Sequence, residues 1–253
     1  MIETATIIAP MGALLGALVG SFLATVLVRW PAGESALTGR SRCDGCRRPL
    51  TPAELVPVLS FALNRGRCRC CATPIDRTHL HVEIAAAAIA GAAFALASPP
   101  AAFGWSVLGW GLLLLALLDW RHFWLPDTLT LGLALLGLVI GGVIGAGSAA
   151  DRLIGLMAGY GVLWAIARAY TAVRHRDGMG GGDPKLLGAI GAWLGWQALP
   201  FILLLASALG LILVLVALVR HRSVVATTEL PFGTLLCIAA LPGWLVAQSL
   251  GIG

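Results

Sequence analysis

Apolar stretches recur from one end of this chain to the other, roughly over 5–28, 82–98, 101–118, 128–148, 153–172, 185–198, 199–219 and 230–250. A helix needs about 20 apolar residues to cross the hydrocarbon of a bilayer, and most of these stretches approach that length. No water reaches the hydrocarbon, so each backbone N–H and C=O must find its partner inside the segment, and continuous apolar runs meet that demand as helices. The expected fold is an all-α polytopic membrane protein of about eight transmembrane helices. The 82–98 stretch is short and alanine-rich, and only Trp196 to Pro200 separates the sixth from the seventh, so six or seven spans are the alternatives. With 58% hydrophobic and 11% charged residues among 253, a soluble core surrounded by a polar shell is excluded.

The net charge of +5 would suit a nucleic-acid partner, but its distribution argues for membrane topology instead. Nine of the sixteen arginines (Arg29, Arg40, Arg42, Arg47, Arg48, Arg65, Arg67, Arg69 and Arg77) fall in one polar insertion after the first apolar stretch. Positive charge beside spans marks the cytoplasmic side, and some attraction to anionic membrane lipid follows from it. Eight spans then put Arg121, Arg174, Arg176, Lys185, Arg220 and Arg222 on that same side, with Arg168 at a helix end, and leave Arg152, beside Asp151, on the other. Both termini are expected outside. The first span carries Glu3, has no basic start and runs straight into Arg29, so it reads as a retained helix. Its Gly12, Gly16 and Gly20 recur every four residues, a stripe along which a second helix can approach closely.

The insertion, about residues 30–80, contains five of the six cysteines. Cys43-Asp44-Gly45-Cys46 is followed after 21 residues by Cys68-Arg69-Cys70-Cys71. Two Cys-x-x-Cys knuckles supply Cys43, Cys46, Cys68 and Cys71 as four thiolates for a tetrahedral Zn²⁺, as in a zinc ribbon. Two disulfides, iron or free thiols are the other readings, and a cytoplasmic address disfavours disulfides. Cys70 departs from the simple spacing and can stand in for Cys68 or Cys71. Four thiolates fill the coordination shell, so zinc here is structural. Cys237, in the last span, reads as a small buried hydrophobe.

Catalysis therefore falls to the acids. Five of the twelve, Asp119, Asp127, Asp177, Asp183 and Glu229, lie near the expected cytoplasmic ends of spans three to eight. Ionisable groups at membrane depth are costly and mark function. Two carboxylates in one site divide their roles, one ionised as base and the other protonated as acid, which activates water against a peptide carbonyl without metal. Asp119 closes Leu117-Leu118-Asp119-Trp120, and Asp183 follows Gly178-Met179-Gly180-Gly181-Gly182, whose glycines admit a substrate backbone. Asp127 before Thr128-Leu129-Thr130 suits a helix N-cap and ranks third; Asp183 before Pro184 also fits an N-cap. Glu83, beside His79 and His81, reads first as an interfacial charge, Lys185 as a topological anchor or a charge biasing Asp183, and Trp105, Trp110, Trp120, Trp124, Trp193 and Trp196 as an aromatic belt.

These residues together resemble the type IV prepilin peptidase family, membrane aspartic peptidases of the GxGD type. The resemblance runs through Gly20-Ser21-Phe22-Leu23, both cysteine knuckles, Arg65-Gly66-Arg67-Cys68, Pro74-Ile75 and Val82-Glu83. It continues with Asp119, Leu125-Pro126-Asp127-Thr128-Leu129-Thr130, Gly178 to Leu187, Gly191-Ala192-Trp193 and Pro231-Phe232-Gly233. It departs at Ala24, where many members have asparagine, and at Cys70.

The resemblance implies a prepilin leader peptidase of the bacterial inner membrane with Asp119 and Asp183 as its catalytic pair. Its substrates would be type IV prepilins or type II secretion pseudopilins, cut at the cytoplasmic face. Members with the cysteine insertion often also N-methylate the new N-terminus using S-adenosylmethionine, although no glycine-rich strand-to-helix fingerprint marks a cofactor pocket here. Three parts are expected: a first transmembrane helix (1–29), a zinc-binding cytoplasmic subdomain (30–80) and a peptidase bundle (81–253). A non-enzymatic scaffold for pilus or secretion assembly and a proton-coupled transporter are the competing classes.

Overall fold

The computed structural model describes residues 2–36, 38, 41–43, 45–175, 178–220 and 230–251. Arg40, Asp44, Arg176, Asp177, Arg222 and Glu229, and the side chain of Glu3, lie outside the described residues. The described residues are helical apart from loops and two isolated antiparallel bridges in the insertion. In order the helices are α1 (Ile2–Arg29), α2 (Leu59–Leu63), α3 (Arg77–Leu96), α4 (Pro99–His122), α5 (Asp127–Ile140), α6 (Ala149–Arg174), α7 (Gly182–Leu194), α8 (Leu199–Val219) and α9 (Phe232–Ser249). Seven of the described helices are long and apolar enough to cross a membrane. The chain divides into two units, Met1–Trp110 and Gly111–Gly253, with the boundary inside α4.

In the first unit α1 packs along α3, and the glycine stripe is the reason. A Cβ on Gly16 would collide with the backbone at Ala86, one on Gly20 would come within 2.8 Å of Glu83 Cα, and one on Gly12 would meet the Phe94 ring. Without these side chains the two backbones approach closely enough for dispersion to act along their whole contact. Trp110 is buried and donates from Nε1 to Ala86 O at 3.0 Å, so it belongs to the core, not to an aromatic belt.

The second unit is built around α7, the segment expected as the sixth span. Its 13 residues rise only about 20 Å, short of the roughly 30 Å of a bilayer core. It is sheathed instead by α5, α6 and α9, and from Asp183 to Leu194 every residue except Lys185 is buried. Here too small residues set the distance: a Cβ on Gly155 would strike Gly191 O, and one on Gly159 would lie 2.7 Å from Leu187 O. Trp193, fully buried, donates from Nε1 to Leu133 O at 2.8 Å and ties α7 to α5.

Short as it is, α7 runs between the same two ends of its unit as α5. At one end Lys185 pairs with Asp127 at 2.6 Å. At the other, Ser148 caps α6 by accepting the Asp151 N–H, and the Asp151 carboxylate accepts from Trp196 Nε1 and Gln197 Nε2, each at 3.0 Å, fixing the α7–α8 turn. α5 and α7 therefore run in the same direction within this unit. Arg152, expected from the sequence on the outer side, is buried and donates to Gly137 O at 3.3 Å, its guanidinium against the C-terminal end of α5 where the helix dipole is negative.

Candidate active site and cysteine cluster

The last turn of α4 carries Asp119, and the first turn of α7 carries Asp183; both are buried, 5% and 7% exposed. They come close enough to interact electrostatically. Two local features produce this meeting. Phe123 adopts φ +48, which ends α4 and turns the chain into Leu125-Pro126 before α5 begins. Leu125 then lodges between Gly182 and Gly233, where added Cβ atoms would come within 2.7 and 2.8 Å of its side chain. Glycine at both places lets α4, α7 and α9 converge at their ends.

Asp119 is held by the start of α9. Its Oδ2 accepts the Thr234 backbone N–H at 2.6 Å and the Thr234 hydroxyl at 3.0 Å, while that hydroxyl also lies 2.9 Å from Ala116 O. A Cβ on Gly233 would sit 3.1 Å from the Asp119 carboxylate, so glycine also makes room for it. Asp183 has no such clamp among the described residues; it is the second residue of α7, after Gly181 as cap, where free N–H groups favour a carboxylate. Among the described residues nothing lies within 4 Å of a Cβ placed on Gly181, and the nearest group to one on Gly180 is Asp183 Oδ2, 3.8 Å away, so these two glycines leave space beside the acid.

The other acids separate from this pair. Asp127 is not an N-cap, since Pro126 holds that position; its side chain is 60% exposed and bound to Lys185. Lys185 therefore serves Asp127 rather than Asp183. Thr234 escaped the sequence reading, although its signal is present: a polar residue directly after Pro231-Phe232-Gly233, opening an apolar helix. Cys237, one turn further along α9, is buried within electrostatic range of both acids.

In the insertion, the ligand atoms of Cys43, Cys46, Cys68 and Cys71 all lie within 4.8 Å of one another and are able to hold a metal ion. Thiolates about 2.3 Å from a tetrahedral zinc stand about 3.8 Å apart, and Cys43 Sγ is 3.7 Å from Cys71 Sγ. The two knuckles repeat each other. Cys43 N–H donates to Arg48 O and Cys68 N–H to Thr73 O, and the bridges Arg42–Pro49 and Arg67–Pro74 close the two turns. Arg47 and Ala72 occupy the matching left-handed positions at φ +58 and +56. Cys70 stays outside the cluster, exposed, and donates its N–H to Cys68 Sγ at 3.5 Å.

The thiols differ in how their surroundings shift them. The Thr73 side chain, then its backbone, hold Cys71 down to about 6, and the backbone N–H groups of Cys71 and Cys70 lower Cys68. Cys46, although the Arg48 backbone pulls it down, is pushed up to about 12 by desolvation and the three neighbouring thiols. Four thiolates repel until a divalent ion neutralises them, so loading the site releases protons. Beside the cluster Arg48 grips Glu54 at 2.6 Å and, with Thr51, holds that carboxyl down to about 2.

Residues 106–215 match the type IV leader peptidase family, and residues 14–97 match the bacterial peptidase A24 N-terminal domain. Among similar proteins, the prepilin leader peptidase/N-methyltransferase of Aeromonas hydrophila is 41% identical over 81% of this chain and 70% of its own. The proteins of that name from Pseudomonas aeruginosa and Stutzerimonas stutzeri are 36% and 35% identical over 92% and 91% of this chain, and 87% of each. No solved structure matches.

Proposed function

Because this chain belongs to the type IV leader peptidase family, we propose that it is a membrane aspartic endopeptidase that removes the leader from type IV prepilins or type II secretion pseudopilins and then N-methylates the new N-terminus. The observation that carries the peptidase reading is the meeting of two buried carboxylates, Asp119 and Asp183, at the ends of α4 and α7. One carboxylate takes a proton from water as it attacks the scissile carbonyl, and the other donates a proton to the carbonyl oxygen. The proton taken from water then reaches the departing amine. Thr234 commits Asp119 Oδ2 to two donors, which leaves Oδ1 to exchange a proton with water or substrate. The open strip at Gly180 and Gly181 would receive the substrate backbone beside Asp183.

In this reading the first helix reaches residue 29, residues 30–80 form a cytoplasmic zinc-binding subdomain, and 81–253 form the peptidase bundle. The arginine-rich insertion faces the cytoplasm of the bacterial inner membrane, and the paired acids open to that side. Zinc on Cys43, Cys46, Cys68 and Cys71 has no open coordination position and stabilises the insertion, while S-adenosylmethionine supplies the methyl group.

Asp119→Asn and Asp183→Asn, made separately, test the pair. Each should abolish cleavage of a co-expressed prepilin while the protein remains in the membrane, and cleavage retained in either variant would overturn the assignment. A scaffold would tolerate both changes. Mass spectrometry of the mature pilin N-terminus reads out methylation in the same cells.

A further inference from the structure

The first unit contains a cavity of about 290 Å³, close to the range of small-molecule sites, roughly 300–1,000 Å³. Its lining runs from Ser21 to Glu83, so it lies wholly within the stretch matching the N-terminal domain and takes no residue from the peptidase stretch. The catalytic aspartates are in the other unit. A protein read as having two activities thus has two separate candidate sites, and only one is accounted for by the acids.

Among the described residues three carboxylates face this cavity, beside Arg29, Arg42, Arg47, Arg67 and Arg69, and two of the three are already committed. Glu34 pairs with Arg42 near the surface, and Glu54 with Arg48. The third, Glu83, is 6% exposed, and among the described residues no basic side chain pairs with it. Its Oε2 accepts the backbone N–H of Val58 at 2.8 Å. That contact holds a β-branched residue at φ +60, ψ −51, a conformation such residues rarely adopt and one that persists where surrounding structure enforces it, often at functional sites. A carboxylate taken out of water without a countercharge is expensive, which fits a site whose ligand brings the positive charge. His79 also lines the cavity, one helical turn before Glu83 on the same face of α3.

We propose that this cavity is the methyl-transfer site, with Glu83 holding the cationic reactants and His79 taking the proton from the pilin α-ammonium. The inference rests on the second activity read above. Both reactants suit a lone buried carboxylate, since one is an α-ammonium and the other a sulfonium methyl donor. His79 removes one proton from the ammonium and passes it to solvent. The freed amine lone pair forms the N–C bond as the C–S bond breaks; sulfur keeps the electron pair and leaves as a neutral thioether. The product is a secondary ammonium, still attracted to Glu83.

Two variants and one probe test it on the full-length protein in detergent: Glu83→Gln, Ser60→Trp, which fills the cavity from α2, and S-adenosylhomocysteine titrated by calorimetry. Wild type should bind the probe at one site, and Ser60→Trp should weaken binding at least tenfold. Glu83→Gln should lower methylation at least tenfold, with metal content and leader cleavage preserved in both variants. Probe binding unchanged in Ser60→Trp, or methylation unchanged in Glu83→Gln, would overturn the assignment. A loss of metal along with methylation in Glu83→Gln would give that residue a structural role and would also count against it, with Ser60→Trp still deciding where the probe binds. If wild type neither binds the probe nor methylates a pilin that it cleaves, the second activity itself fails, a result distinguishable from a misplaced site.

Discussion

Replacing Thr234 by valine tests how much the clamp on Asp119 matters, because the change removes a hydroxyl while nearly preserving volume. The backbone N–H, 2.6 Å from Asp119 Oδ2, survives; the hydroxyl contacts to Oδ2 at 3.0 Å and Ala116 O at 2.9 Å are lost. A hydrogen bond to a charged group contributes about 1.5–3 kcal/mol, and each 1.36 kcal/mol is about tenfold in rate, so kcat should fall roughly 10- to 150-fold. The replacement methyl also sits where the oxygen was, nearer to Oδ2 than the roughly 3.3–3.6 Å usual for carbon against oxygen, and turns the carboxylate away. Thr234→Ser keeps the hydroxyl and should recover most of the rate. The assay is cleavage of purified prepilin in detergent, with kcat and KM determined separately beside the thermal midpoint. Because Thr234 orients Asp119 rather than holding the pilin, KM should change little. A Thr234→Val enzyme within about threefold of wild type, or a loss of rate that serine does not recover, would refute the clamp.

Lys185→Met and Asp127→Asn break an ion pair whose side chains are 31% and 60% exposed, worth less than about 1 kcal/mol. Each should leave cleavage within about fivefold of wild type, and an inactive Asp127→Asn would restore that acid to the catalytic set. The purified protein should carry one equivalent of zinc by elemental analysis, absent after Cys43→Ser, and reloading a stripped sample should release protons. An intact, folded protein with no metal would overturn the zinc reading. Gly155→Ala drives a methyl into the Gly191 backbone and should cost about 1–3 kcal/mol, seen as a lowered thermal midpoint; an unchanged midpoint would mean that α6 and α7 separate freely.

Much of this molecule was legible because the bilayer imposes simple rules on sequence. Apolar length marks the spans, and the arginines in the insertion carry the topological signal. The spacing of the two knuckles was sufficient to group Cys43, Cys46, Cys68 and Cys71, because a short hairpin turn brings the two thiols of a Cys-x-x-Cys together locally. The four-residue glycine period in α1 likewise foretold the close approach of α3.

Contacts between distant elements were not legible in that way. Helix periodicity says nothing about which neighbour a residue meets, so Trp110 and Trp193 read as interfacial aromatics until packing buried them and gave their N–H groups carbonyl partners. The sequence by itself determined an all-helical membrane chain, a four-cysteine cluster and the candidate acids. Only the tertiary structure decided that Asp127 belongs to Lys185, that Thr234 holds Asp119 from 115 residues away, and that Glu83 is buried against Val58. The physical reason is that these roles depend on desolvation and on hydrogen bonds a few ångströms long, which form only when helix ends far apart in the chain converge.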